Sequence, residues 1–244
     1  INVTVNGNPT AVASSTPATI CLNSSSLLNV TPSGGTAPFT YSWKETNLQF
    51  STIQSPTVTP STSGTKTYDV TVTDANTCST AVSTTLTVNP KPIVAPTVNP
   101  SPVCQGFPST LSANASGINP LTYSWTGPSS FTSTSQNPSI TPLTSGSFIY
   151  TVVVNDGNTP ACSTQANVTL IVNPKPGVNA SATPNPVCVG TNITLTATSA
   201  GSSPTFQWFR PNGSLLASTA ITTFPAPLPA GIQVYKVVVT DANG

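Results

Sequence analysis

The chain has 244 residues, only 5% of them charged, with a net charge of +1. Average soluble proteins carry about 25% charged residues, so solubility here rests on Ser, Thr and Asn, and neither a basic face for nucleic acid nor an acidic face for cations is available. Histidine is absent, which removes the commonest ligand of zinc and haem, and no run approaches the roughly 18 apolar residues of a membrane span.

Methionine is absent as well, so residue 1 reads as something other than a translation start, as in a processed or excised piece. Proline (26) and glycine (15) fit a loop-rich all-β chain. They do not imply disorder, because an apolar alternation returns on schedule.

One pattern is written three times. Trp43, Trp125 and Trp208 recur about 83 residues apart, as do Cys21, Cys104 and Cys188, and Tyr68, Tyr150 and Tyr235. A fixed period of this length marks a tandem array of small modules. The expected division is an orphan final strand at 1–6, module 1 at 7–89, module 2 at 90–173, and module 3 at 174–244 without its last strand.

In chain order, each module opens on a polar, proline-containing segment: Asn6-Gly7-Asn8-Pro9, Asn89-Pro90-Lys91-Pro92 and Asn173-Pro174-Lys175-Pro176. In the second and third, prolines two apart hold the backbone near polyproline II and block ladder pairing, which makes a stiff connection. An extended segment then leads to Cys21, Cys104 or Cys188. A short strand follows, carrying Leu28 and Val30, Leu111 and Ala113, or Leu195 and Ala197.

Next comes the strand ending at Tyr41-Ser42-Trp43, Tyr123-Ser124-Trp125 or Phe206-Gln207-Trp208, whose rings alternate in phase and therefore share one face. The clearest strand is Tyr68–Asp74, with copies at Tyr150–Asp156 and Tyr235–Asp241. Its strict alternation of Tyr and Val is strong β evidence. Asn-containing turns follow it, at Ala75-Asn76-Thr77, Gly157-Asn158-Thr159 and Ala242-Asn243-Gly244. Return strands are expected at Thr85–Asn89 and Thr169–Asn173.

Seven or so short strands with a core Trp in the third and a Tyr in the sixth describe tandem immunoglobulin-like β-sandwich modules, an all-β fold. Paired cysteines in small modules indicate disulfides and an oxidising compartment. The preferred intramodule pairing is Cys21 with Cys78 and Cys104 with Cys162, among the three connectivities that four cysteines allow, and it leaves Cys188 without a partner in this chain.

The segments TYDVTVTDANTC and TLTVNPKP, with YSW upstream, resemble the PKD-like and Ig-like repeats of large secreted Bacteroidota surface proteins of the gliding-adhesin or type IX-secreted kind. The Trp-Asp-Phe-Gly-Asp-Gly signature of standard PKD domains is missing, since Trp43 is followed by Lys44-Glu45 and Trp125 by Thr126-Gly127. The resemblance implies export, an extracellular or cell-surface place, and a stalk or adhesive role. It supplies no catalytic residue.

No enzyme is expected here. The only acids are Glu45, Asp69, Asp74, Asp156 and Asp241, and Asp74, Asp156 and Asp241 are one repeated hairpin position. Their carboxylates are expected to bond nearby backbone N–H groups. One Asp per module makes a poor calcium site, which needs six to eight oxygens, and neither an acid/base pair nor a triad has a candidate. No metal or other cofactor is expected. The repeating tryptophans are expected in the core, and less regular aromatics such as Phe50, Phe131 and Phe209 are the better candidates for exposed contact.

Asn-x-Ser/Thr occurs at Asn2, Asn23, Asn29, Asn114, Asn167, Asn179, Asn192 and Asn212, a set of glycosylation candidates in a composition that produces such matches by chance.

The first six residues, with Ile1, Val3 and Val5, match Thr84–Asn89, the end of a module. The third module stops short of that strand. Either the sequence is a window on a longer array, or the start of one chain donates a strand to the end of another. The expected role is a structural and adhesive stalk or filament segment. Its expected partners are copies of itself or further repeats, and cell-surface or environmental glycans, with no nucleic acid and no membrane insertion. The alternative is a glycan-binding array attached to a secreted enzyme.

Overall fold

A computed structural model describes residues 1–227 and 230–242. Every regular element among the described residues is a β-strand. The strands fall into three successive sandwiches, each with its own hydrophobic cluster.

In the first sandwich, one sheet pairs Thr10–Thr16 with Ser26–Ser33 and the latter with Thr57–Val58. The facing sheet has five strands, in the order Thr19–Cys21, Ser79–Asn89, Gly64–Thr73, Thr40–Glu45, Leu48–Ser51. The second sandwich repeats the five-stranded sheet with Val103–Cys104, Ser163–Asn173, Gly146–Asn155, Thr122–Gly127 and Phe131–Ser133.

The return strands are eleven residues long, longer than the alternation in Thr85–Asn89 and Thr169–Asn173 alone predicts. Their first halves carry Thr, Ser, Gln and Ala, and they are held by pairing along the whole of Gly64–Thr73 and Gly146–Asn155. The ladder's hydrogen bonds extend the strand past its apolar residues.

Period-2 alternation buries the expected side chains. Leu28, Val30, Trp43, Val70, Val72 and Leu86 are fully buried in the first module, as are Leu111, Ala113, Trp125, Val152, Val154 and Leu170 in the second. Tyr68 and Tyr150 close these cores, with Phe50 and Phe131 packed edge-on against them at ring centroid distances of 5.8 and 5.5 Å. Phe131 is half-buried over its tyrosine, while Phe50 stays 43% exposed.

The third sandwich is narrower. Among the described residues its second sheet contains Leu215–Ala217, Thr205–Phe209 and Lys236–Thr240. Residues 187–188, which correspond to the strands Thr19–Cys21 and Val103–Cys104, form no strand. Those short strands exist in the first two modules by parallel pairing with the return strand, Cys21 opposite Asn89 and Cys104 opposite Asn173. Of the turn expected at Ala242-Asn243-Gly244, Asn243 and Gly244 lie outside the described residues. Residues 1–6 pair with no strand, and Ile1, Val3 and Val5 are exposed.

Candidate functional site

The parallel pairing decides which end of a module each cysteine occupies. Cys21 lies beside Asn89, the last residue of its module, and Leu22 N–H donates to Asn89 O at 2.8 Å. Cys21 therefore stands at the pole where the chain leaves for module 2. Cys78 ends the turn after Gly64–Thr73, at the opposite pole, and its Sγ is 4.0 Å from Asn6 O in the leading segment. The ten-residue strand between these poles spans roughly 30 Å.

That length forbids the expected Cys21–Cys78 bridge, since a disulfide needs Cα atoms about 4.4–6.8 Å apart. The same geometry separates Cys104, beside Asn173, from Cys162. The structure instead joins Cys21 to Cys162, with Cα atoms 5.6 Å apart and a sequence separation of 141. The bridge crosses the junction from the far pole of module 1 to the near pole of module 2. The intramodule assignment is corrected accordingly. The pairing preference left out the three-residue parallel strand Thr19–Cys21, which sets Cys21 beside Asn89 at the other end of the module.

The junction is built from backbone contacts as well. Thr164 Oγ1 donates to Pro92 O at 2.6 Å, tying the return strand of module 2 to the connecting segment. The hairpin that presents Cys162 is fixed by Asp156. Its Oδ1 accepts from Asn158 N–H at 3.1 Å and Cys162 N–H at 2.8 Å, and its Oδ2 accepts from Asn158 Nδ2 at 2.7 Å.

Asp74 does the same in module 1. Its Oδ1 accepts from Asn76 N–H and Cys78 N–H, both at 2.9 Å, and its Oδ2 accepts from Thr36 N–H at 3.0 Å. Gly35 sits against this carboxylate with φ +66 to +68 across Gly34–Gly35, and a Cβ there would meet Asp74 Oδ2 at 3.2 Å. Asp74, Asp156 and Asp241 are all buried. For Asp74 and Asp156 the carboxylate is engaged by the turn it organises, and each holds the N–H of the cysteine that follows.

A second feature lies in module 3. A groove of about 650 Å³ is lined by Ala182, Val187, Cys188, Ile193, Leu195 and Tyr235, among others. By the repeat, Val187, Leu195 and Tyr235 correspond to Ile20, Leu28 and Tyr68, which in module 1 pack in one cluster with Leu86 and Val88 of the return strand. The groove is the place that strand fills in the other modules.

The glycosylation candidates Asn2, Asn23, Asn114, Asn167, Asn179, Asn192 and Asn212 are exposed, and Asn29 is half-buried. Among the described residues no helix is long and apolar enough to cross a membrane.

No family model and no curated protein matches the chain. Solved structures of tandem β-sandwich modules do. The three N-terminal domains of the bacteriophage RB49 outer capsid protein Hoc are 15% identical, over 94% of this chain and 91% of that one, with a TM-score of 0.35. The titin I-band fragment I67–I69 is 14% identical, over 98% and 95%, with a TM-score of 0.44. The fibronectin(III)-like modules of Clostridium thermocellum CbhA are 13% identical, over 67% and 95%, with a TM-score of 0.32. At these values the likeness carries no inference about activity or partners. The Ig-like fold rests on the strand order and the core described above.

Proposed function

We propose that the chain is a structural and adhesive segment of an extracellular, cell-surface rod, of the kind its resemblance to Bacteroidota surface repeats implies. The observation that carries this reading is the Cys21–Cys162 bridge across the junction of two modules. A bond inside one sandwich stabilises that sandwich. A bond between the facing poles of two sandwiches restrains how they move against each other, which serves a rod. Disulfides persist in oxidising, extracellular places, and a chain with only 5% charged residues suits contact with polar, uncharged partners such as glycans.

Small-angle scattering tests the rod. The oxidised chain is expected to be elongated, with a narrow spread of shapes, and Cys21→Ser is expected to broaden that spread while the β-sheet signal is kept. A compact particle, or a Cys21→Ser profile identical to the parent's, contradicts the reading. Tight saccharide-specific binding by the isolated chain would favour the alternative, a glycan-binding array.

A further inference from the structure

We propose that a proline seated on a glycine, repeated in all three modules, sets the direction in which each module leaves its connecting segment. The inference deepens the rod reading above and rests on contacts separate from the Cys21–Cys162 bridge.

The seat is the same three times. Pro9 lies against Gly35, Pro92 against Gly117 and Pro176 against Gly201. A Cβ on Gly35 would meet Pro9 Cβ at 3.0 Å, and one on Gly201 would meet Pro176 Cβ at 3.0 Å. One on Gly117 would meet Pro92 Cβ at 3.1 Å and its Cα at 3.3 Å. So close an approach of two backbones suits glycine and crowds any larger residue. Strand register brings it about. Ile93 pairs with Ser116 and Val178 with Ser199, and continuing each register sets Pro92 opposite Gly117 and Pro176 opposite Gly201.

The glycine is held in turn by the loop of the repeated Asp. Ala75 N–H donates to Thr36 O at 2.8 Å, Gly157 N–H to Ile118 O at 2.8 Å, and Ala242 N–H to Ser202 O at 2.9 Å. Each acceptor follows a seat glycine, and each donor follows Asp74, Asp156 or Asp241. Pro9 and Pro92 are buried and Pro176 is half-buried, whereas Pro90 and Pro174 are exposed.

The other end of each connection is fixed to the module it leaves. Leu22 N–H donates to Asn89 O at 2.8 Å, and Gln105 N–H to Asn173 O at 2.9 Å. Lys175 also lies back over module 2, where a Cβ on Gly106 would meet its Nζ at 3.3 Å. Between an anchored asparagine and a seated proline there remain Pro90-Lys91 in one connection and Pro174-Lys175 in the other. Proline fixes its own φ, so few dihedrals are left to turn one module against the next.

The test is the relative order of modules 2 and 3 in the whole chain, measured from residual dipolar couplings in a weakly aligning medium. In the parent, one alignment tensor is expected to fit the couplings of both modules. Gly201→Ala crowds the seat, and Pro176→Gly empties it from the side of the connection. Each is expected to give the two modules tensors of different magnitude, while chemical shifts inside module 2 stay as in the parent. A Cβ on Gly201 also meets Asp241 Cβ at 2.9 Å, so if Gly201→Ala unfolds module 3, Pro176→Gly decides. Pro174→Gly, at the exposed proline of the same connection, should keep the common tensor.

Two separate tensors in the parent would overturn the proposal, and so would a common tensor kept by Pro176→Gly. Loosening by Pro174→Gly equal to that by Pro176→Gly would overturn it too, because chain flexibility alone then accounts for the effect. The rod reading is tested at the other joint by Cys21→Ser. A common tensor lost in Pro176→Gly, together with scattering unchanged by Cys21→Ser, would keep the seat and remove the part given there to the bridge.

Discussion

Tyr68 is 1% exposed, and burial, with the negative charge of Glu45 added, pushes its phenol up to about 12. An unfolded tyrosine titrates near 10. Above that pH the unfolded chain loses its proton first, so the folded state's advantage is whole below about pH 10 and is lost as pH rises from about 10 to 12. Burial raises the phenol of Tyr150 in the same way. Tyr68→Phe is expected to flatten the fall in stability of module 1 between about pH 10 and 12, read as the shift in denaturant midpoint; equal falls in parent and variant would contradict it. The position of this tyrosine was plain from its alternation with valines. What the alternation could not show is that Trp43, Trp125 and Trp208 are buried with indole N–H groups that have no hydrogen-bond acceptor, because the sequence marks a ring as inward without saying what its nitrogen faces.

The hairpin is the element that makes the junction possible. Asp156 holds three donors, including the N–H of Cys162 itself. Asp156→Ala leaves the buried N–H of Cys162 and the part-buried N–H of Asn158 without their acceptor and is expected to cost module 2 about 2–3 kcal/mol in denaturant unfolding. Asp156→Asn, which keeps an acceptor oxygen, should cost less. Equal stability of parent and alanine variant would show that water replaces the carboxylate.

This role for the repeated Asp was legible, since an Asp at the start of a turn has few other uses. The strand Thr19–Cys21 was not. Three residues carry too little alternation to register as a strand, and its parallel partner Thr87–Asn89 lies more than sixty residues on in the chain. Missing that one pairing put Cys21 at the wrong end of its module. The narrow second sheet of module 3 is the same lesson in reverse: Val187 and Cys188 carry the right sequence but form no strand, because the pairing that makes one is absent among the described residues.

Across the whole molecule, the period of about 83 residues fixed the array of sandwiches, but not how one is joined to the next. An intramodule bridge would have made reduction loosen modules 1 and 2 individually; the bridge between modules acts differently. In the chain-entropy treatment a closed loop of this length contributes about 5 kcal/mol when the entire loop unfolds. While both modules stay folded, the bond between Cys21 and Cys162 acts on their relative placement, and reduction frees the joint. Conserved spacing of the cysteines within each repeat hid this, because a bridge within a module and a bridge to the next one leave the same period in the sequence.

The most direct test is peptide mapping of the oxidised chain without reductant. The structure predicts a cross-linked peptide containing Cys21 and Cys162; cross-links between Cys21 and Cys78 and between Cys104 and Cys162 would contradict it.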